Sequence, residues 1–303
     1  MYNSLMTEKE LKVNKKVVIG FTGRIDSVVA AYLLKKQGYE VLAVAVIFFP
    51  RESEDLPPVI NEDGGEVISD DFFCVNKLDD LTQIKAIAQK MGIGFFAVDA
   101  SAEYKSVVGD KVIGARLVGL SFSPEYESHA LLIDILISKA ELLEASFIAT
   151  GHFAKLSLPQ NNKSIKVLSS NDLAHDQCDF LTKVKNSSFK KLKLPLADMR
   201  KLEVRKVAST LGFNVLGEKL SWGETVKNKN FGTFIRKRLP ASMIKKGQVI
   251  DYVNDAYLFD HQGIHNFYIG QNKIKNENAI GLDPELMIAD IHYSSGTIIV
   301  IKP

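Results

Sequence analysis

Cysteine is the scarcest reactive residue in the chain. Among 303 residues there are two, Cys74 and Cys178, far apart and without CxxC spacing. That excludes a disulfide framework and any zinc or iron–sulfur site built from the cysteines of one chain. The six histidines show no metal-ligand spacing, so no metal site is expected from them. Long apolar runs are also missing, so no membrane span is expected. Met1–Lys16 lacks the apolar core of a secretory signal, which makes the cytoplasm the expected compartment and residues 1–14 a polar tail. Neither sign of charge dominates: 38 Lys and Arg stand against 36 Asp and Glu, a net charge of +2. A nucleic-acid surface would therefore have to be a local patch. What the chain does have is 46% hydrophobic and 24% charged residues, the make-up of a globular protein with a core large enough for two domains.

Strand and helix patterns alternate through the first half. Val17–Phe21 reads as a buried strand, Asp26–Gln37 as a helix stopped by Gly38, and Val41–Phe49 as a second apolar strand. Leu78–Met91 and Phe95–Val98 make the next helix–strand pair, with Phe72–Val75 a short strand end. Glu103–Val118 reads as a helix weakened by Gly109 and Gly114, and Ser121–Glu127 as a loop around Pro124. Ala130–Leu143 and Ser146–Thr150 form a further helix and strand. The alternation predicts an α/β, doubly wound parallel sheet over residues 15–160, with ligands at the carboxyl ends of its strands. Residues 161–245 read as a helical, basic segment and 246–303 as a small β domain, with strands at Val249–Val253 and Ile298–Ile301.

Chemistry is concentrated in Val17–Leu34. An apolar strand ends in the small-residue turn Thr22-Gly23-Arg24, and Asp26-Ser27 opens a helix. Backbone N–H groups at such a helix start, aided by the helix dipole, form an anion site; a ligand-free strand–turn–helix fits the same residues. The basic stretch Lys183–Lys206 holds Lys183, Lys185, Lys190, Lys191, Lys193, Lys201 and Arg205, and Arg236-Lys237-Arg238 follows. It is either a solvated face or an RNA backbone patch. His129 reads as a surface helix start and His265 as structural.

Five stretches, in order, resemble one family, the tRNA-specific 2-thiouridylases of the PP-loop ATP pyrophosphatase superfamily. Lys15–Val44 resembles the family's first strand, phosphate loop and second strand, and Leu78–Val98 its next helix–strand unit. Ile148–Ala154 is similar to its ATGHYA stretch, Asp176–Leu181 to its DQSYFL segment, and Gly263–Gln271 to its GLHYYTIGQ segment. The resemblance implies ATP and magnesium as cofactors and tRNA as partner. It places Gly20, Thr22, Gly23, Arg24, Asp26, Ser27, Val46, Gly151 and His152 at the nucleotide. It also places Lys183, Lys185, Lys190, Lys191, Lys193, Arg205, Arg236, Lys237 and Arg238 at the RNA.

Departures from the family pattern matter as much. The loop motif SGGxDS has Arg24 at its second glycine, where a side chain is expected to crowd the phosphates and a positive φ is expected to be lost. The family's two sulfur-transfer cysteines are missing from the corresponding regions Ser121–Glu127 and Leu220–Val226. Cys178 is the one substitute near the phosphate side, and no other catalytic residue is expected. The family's last β-barrel is expected to be absent or truncated. These features predict a diverged thiouridylase without cysteine-based sulfur transfer that binds RNA, a nucleotide or both. Two alternatives stand beside it: an ATP-dependent RNA-modifying enzyme fed by a sulfur-carrier protein, and a non-catalytic interaction module.

Overall fold

A computed structural model describes residues 15–48, 58–60, 66–68, 78–122, 124–157, 164–212, 239–272 and 285–303. The expected tail at 1–14, Cys74, Phe72–Val75, the region 220–226 and Arg236–Arg238 lie outside the described residues. The chain forms two compact units. The first comprises 1–51, 72–101 and 125–221, and the second 52–71, 102–124 and 222–303.

In chain order the main elements are β1 (Lys16–Gly20), α1 (Ile25–Lys36), β2 (Glu40–Ile47), β3 (Pro58–Ile60), β4 (Glu66–Ile68), α2 (Leu78–Lys90), β5 (Gly94–Asp99), α3 (Ser101–Tyr104) and α4 (Asp110–Leu117). They continue as α5 (Pro124–Leu142), β6 (Phe147–Ala149), β7 (Ala154–Leu156), β8 (Val167–Ser169), β9 (Leu192–Lys193), α6 (Lys201–Thr210), β10 (Gly247–Asp251), β11 (Tyr257–His261), β12 (Met287–His292) and β13 (Thr297–Ile301).

The first unit is built on a parallel sheet in the order β5-β2-β1-β6-β9. Val17, Val18 and Ile19 of β1 are fully buried, as expected of a strand covered on both faces. On one side, α1 presents Val28, Val29, Ala30, Ala31 and Leu34 to the core, and the small alanines let it lie close to the sheet. Val204 and Ala208 of α6 join the same core. Each fully buried aliphatic side chain such as Ile148 or Leu136 contributes about 1.5–3 kcal/mol. From β1 the chain passes to β2 on one side, while β6 lies on the other. The connections leave β1 and β6 side by side, with Ile19 opposite Ala149. That reversal of strand order opens a crevice at their carboxyl ends.

Three expectations change here. Pro124 is the first residue of α5, not the middle of a loop. Proline suits that position because its missing N–H would have no helical acceptor. The helix therefore starts six residues before Ala130, and His129 falls inside it with no exposed surface, not on the outside. The basic stretch is not one helical run. It passes through a 3₁₀ turn at Asn186–Lys190 and then β9, the outermost strand of the sheet. Pro195 bars helix there, and α6 starts only at Lys201. Its start is fixed by the Glu203 carboxylate, which accepts the Arg200 N–H at 2.7 Å. β7 and β8 pair antiparallel, with Ala154 opposite Ser169.

The second unit holds a four-stranded sheet, β11-β10-β13-β12, in which β10 and β13 run parallel and the other pairs antiparallel. Val249, Phe259, Ile288, Ile298 and Val300 form its core. It also holds the antiparallel pair β3–β4. Between α3 and α4 runs a π-helical turn, Lys105–Gly109, where a plain helix was expected.

Candidate nucleotide site

β1 delivers the chain into the loop. Phe21 continues the ladder, its N–H bonded to Val44 O at 2.8 Å, and Gly23 then turns at φ +72. Arg24 is extended, at φ −82 and ψ 161, and α1 follows. The backbone demand for glycine therefore falls on Gly23 alone. Arg24 occupies a conformation open to any residue, so the expected loss of a positive φ at that position does not arise.

Hydroxyls knit the turn. Thr22 N–H donates to Ser27 Oγ at 3.2 Å, and the two hydroxyl oxygens lie 3.2 Å apart. Ser27 Oγ–H donates to Arg24 O at 3.0 Å. The first-turn N–H groups of Ile25, Asp26 and Ser27 have no acceptor within the helix and form the positive end of a twelve-residue helix. Gly20 faces α5: a Cβ there would come 3.3 Å from Leu136 Cδ1, so its need is packing. Val46 lies at the carboxyl end of β2, opposite Val98, with its side chain buried.

The loop after β6 closes on this turn. A Cβ on Gly151 would lie 2.9 Å from Asp26 C, 3.0 Å from Asp26 O and 3.1 Å from Ser27 N. All three are backbone atoms, so only glycine lets the two loops touch. His152 turns inward. Its Nδ1 lies 2.7 Å from Thr150 Oγ1, and burial lowers its pKa to about 4. His129 of α5 meets it edge-on at 4.7 Å between ring centroids and packs against Phe180 at 4.8 Å. Burial, and then the charge His152 would carry, hold His129 well below the usual imidazole range. At neutral pH both rings are uncharged.

The Asp176–Leu181 segment docks beside them through Gln177. Phe153 N–H donates to Gln177 Oε1 at 3.0 Å, and Gln177 N–H donates to Phe153 O at 2.8 Å. Cys178 follows directly. Its thiol donates to Asp176 Oδ2 at 3.1 Å, with Asp179 Oδ1 at 3.7 Å. Burial and the Asp176 hydrogen bond raise the thiol pKa, an environment opposed to a nucleophilic thiolate. Burial pushes Asp176 up, but hydrogen bonds from Ser170, Cys178 and Ser169 outweigh it and leave its carboxyl below the ordinary value.

Two residues absent from the expected nucleotide set complete the constellation. Lys201, the first residue of α6, places Nζ 2.7 Å from both Asp26 oxygens and 5.5 Å from the Phe153 ring centre. Its own N–H donates to Asp172 Oδ2 at 2.8 Å, which holds that carboxyl below its usual pKa and sets a negative charge at the start of α6. No sequence-local signal pairs positions 26 and 201. Only the lysine type and the helix start hint at it. Among the described residues no three His, Cys, Asp or Glu side chains cluster as a metal site, and no helix is long and apolar enough to cross a membrane.

The basic residues separate. Lys185 pairs with Asp134 at 2.8 Å and Lys191 with Glu141 at 3.3 Å, both on α5. Lys193 lies 4.1 Å over the Phe147 ring and 5.4 Å over that of Tyr39. Phe147 begins β6 and Tyr39 precedes β2, so Lys193 reaches the amino edge of the sheet, away from the crevice. Lys183, Lys190 and Arg205 are exposed. The Gly263–Gln271 segment belongs to the second unit. There Ile269 N–H donates to Gly119 O at 2.8 Å, and the buried Arg116 guanidinium stacks 4.3 Å from the Tyr268 ring centre. His265 is buried in the same segment.

Three of the resembling stretches of the first unit, Lys15–Val44, Ile148–Ala154 and Asp176–Leu181, thus meet at one crevice. Comparison with known proteins gives the family. Residues 15–223 match the model of the tRNA methyl transferase HUP domain family. The tRNA-specific 2-thiouridylase MnmA of Malacoplasma penetrans is 30% identical over 263 residues, 86% of this chain and 68% of that protein. That of Clostridium acetobutylicum is 31% identical over 263 residues, 86% and 69%. The Mycoplasmopsis synoviae protein is 32% identical over 266 residues, 86% and 66%. The chain spans about two-thirds of the length of these relatives. On the family model and these identities, the chain belongs to the tRNA-specific 2-thiouridylase family.

Proposed function

We propose that this chain is a diverged 2-thiouridylase homologue that binds a nucleotide and tRNA but does not itself carry sulfur. The observation that carries the second half is Cys178. Persulfide transfer needs a thiolate, and this thiol is a hydrogen-bond donor to Asp176 with a raised pKa. The chain offers only Cys74 besides.

The phosphate half is supported by the intact turn. Gly23 keeps its left-handed conformation, and Gly151 keeps the close approach of the second loop. These residues fit a nucleotide polyphosphate: the first-turn N–H groups of α1 and the Thr22 and Ser27 hydroxyls would hold phosphate oxygens, and Asp26 is the carboxylate that would meet magnesium. Bound ATP would supply an adenylyl group to activate a uridine carbonyl oxygen. On this chain's side, the loop binds and orients the phosphates, and the Arg24 guanidinium adds a positive charge at the loop. The tRNA reading is supported by the relatives and by exposed Lys183, Lys190 and Arg205.

The test is nucleoside mass spectrometry of tRNA from a strain lacking the gene, complemented with wild type or with a Cys74→Ser, Cys178→Ser double variant. Unchanged 2-thiouridine in the deletion strain supports the reading. Loss of 2-thiouridine that wild type restores and the double variant does not would overturn it. Restoration by both would instead favour an enzyme fed by a separate sulfur carrier.

A further inference from the structure

Lys201 and Asp26 are 175 residues apart, yet the ammonium sits 2.7 Å from each carboxylate oxygen. It is centred on the carboxylate as a metal ion would be, in two charge-assisted hydrogen bonds. The pair stands at the edge of solvent, with side-chain exposures of 14% for Lys201 and 32% for Asp26. It can therefore open without disturbing the core. The root of Lys201 is fixed, because its N–H is held by Asp172. Its stem is flexible, and its head is a compact charge that can be moved between anions.

Asp26 itself lies in the first turn of α1, the positive end that would attract a phosphate. A polyphosphate arriving there meets a carboxylate already seated. Two anions at one helix end repel unless a cation is redistributed between them.

We propose that Lys201 is an exchangeable counter-ion of the phosphate loop: it neutralises Asp26 when the loop is empty and passes to a phosphate oxygen when a magnesium–nucleotide binds. Asp26 is then left to the metal. No covalent bond changes: the ammonium moves from the Asp26 carboxylate to a phosphate oxygen, and the divalent cation that arrives with the nucleotide takes its place on Asp26. The inference rests on the nucleotide-binding reading above and specifies how that site is charged.

Calorimetry with ATP, with and without magnesium, tests it on the wild-type chain and on Lys201→Met, Lys201→Arg and Asp26→Asn. A thermal-shift titration with magnesium alone supplies a readout independent of activity. Lys201→Met should weaken magnesium–ATP by about ten-fold or more, with Lys201→Arg restoring most of it. Magnesium alone should raise the melting temperature of Lys201→Met, whose Asp26 is uncovered, and leave wild type unmoved. Asp26→Asn should bind metal-free ATP more tightly than wild type, because its lysine is already released.

The idea is overturned if Lys201→Met binds magnesium–ATP like wild type and loses only thermal stability. The pair would then be a structural tie between α1 and α6. It is also overturned if Asp26→Asn loses metal-free ATP affinity as Lys201→Met does. Wild type that binds no ATP at millimolar concentration would instead remove the nucleotide reading, and this inference with it.

Discussion

Acidification should destabilise the first unit through His152. The ring is 5% exposed and its pKa is lowered to about 4 by burial. An unfolded chain returns it to about 6.5. Between those values the unfolded state holds a proton that the folded state refuses, so stability is fully present above the unfolded value and is lost as pH falls toward 4. From pH 7 to pH 5 the loss from this ring is about 2 kcal/mol. His129 is shifted the same way, by burial and by the charge His152 would carry, so its effect has the same sign. His261 in the second unit is also lowered, chiefly by burial, against the hydrogen bond to Gly296 O. The decisive quantity is therefore the difference between wild type and His152→Asn, which keeps a polar partner for Thr150 and loses the proton. Urea unfolding followed by far-ultraviolet circular dichroism at pH 7 and pH 5 should show wild type losing about 2 kcal/mol more than the variant. Equal losses in the two proteins would refute the assignment of a buried, neutral His152.

Other consequences can be checked directly. Gly151→Ala should cost about 1–3 kcal/mol in urea unfolding and weaken nucleotide binding, because its Cβ meets only backbone; Gly114→Ala, with nothing within 4 Å, should be neutral or stabilising. Gly23→Ala should cost roughly 1–2 kcal/mol by the same measurement, since φ is +72 there. Arg24→Gly should lower ATP affinity by calorimetry, because the backbone is already extended there and the change removes only the guanidinium charge; a marked gain would show that the side chain crowds the phosphates. In filter binding to tRNA over a salt series, Lys183→Ala with Lys190→Ala should flatten the salt slope, whereas Lys193→Met, which removes a cation from over Phe147, should leave it unchanged.

Most of the first sheet was legible because its strands are apolar runs bounded by turn residues, a pattern local to each segment. The ends of the helices were less so. Pro124 is a breaker by composition and a helix start by position, and only the following turns decide between the two. His129 changed sides for the same reason: moving the helix start moved the face. The strand β9 is two residues long, too short for any periodicity, and exists because Ile148 and Ala149 offer it an edge. The site divides similarly. Thr22–Ser27 and Thr150–His152 were readable as turns at the carboxyl ends of neighbouring strands. The Asp26–Lys201 pair was not, because attraction between charges carries no sequence spacing. The lysines of the basic stretch were visible as a run, but which of them would face Asp134, Glu141 or Phe147 depends on where α5 and β6 lie.

Arg24 and Cys178 now carry different weight. The phosphate turn makes one strict conformational demand, at Gly23, and the chain meets it. An arginine at the next position adds a charge without adding strain, so the loop can change sequence there and keep its geometry. A persulfide carrier makes a chemical demand that geometry cannot substitute for, since no other side chain forms the sulfur–sulfur bond. The cysteine placed near this crevice is held by Asp176 in the form least able to attack. On these grounds nucleotide binding and sulfur transfer are separable in this fold, and the loss of one does not entail the loss of the other. The Asp26–Lys201 pair points the same way: the carboxylate of the loop has its counter-ion within the chain, independently of any cysteine.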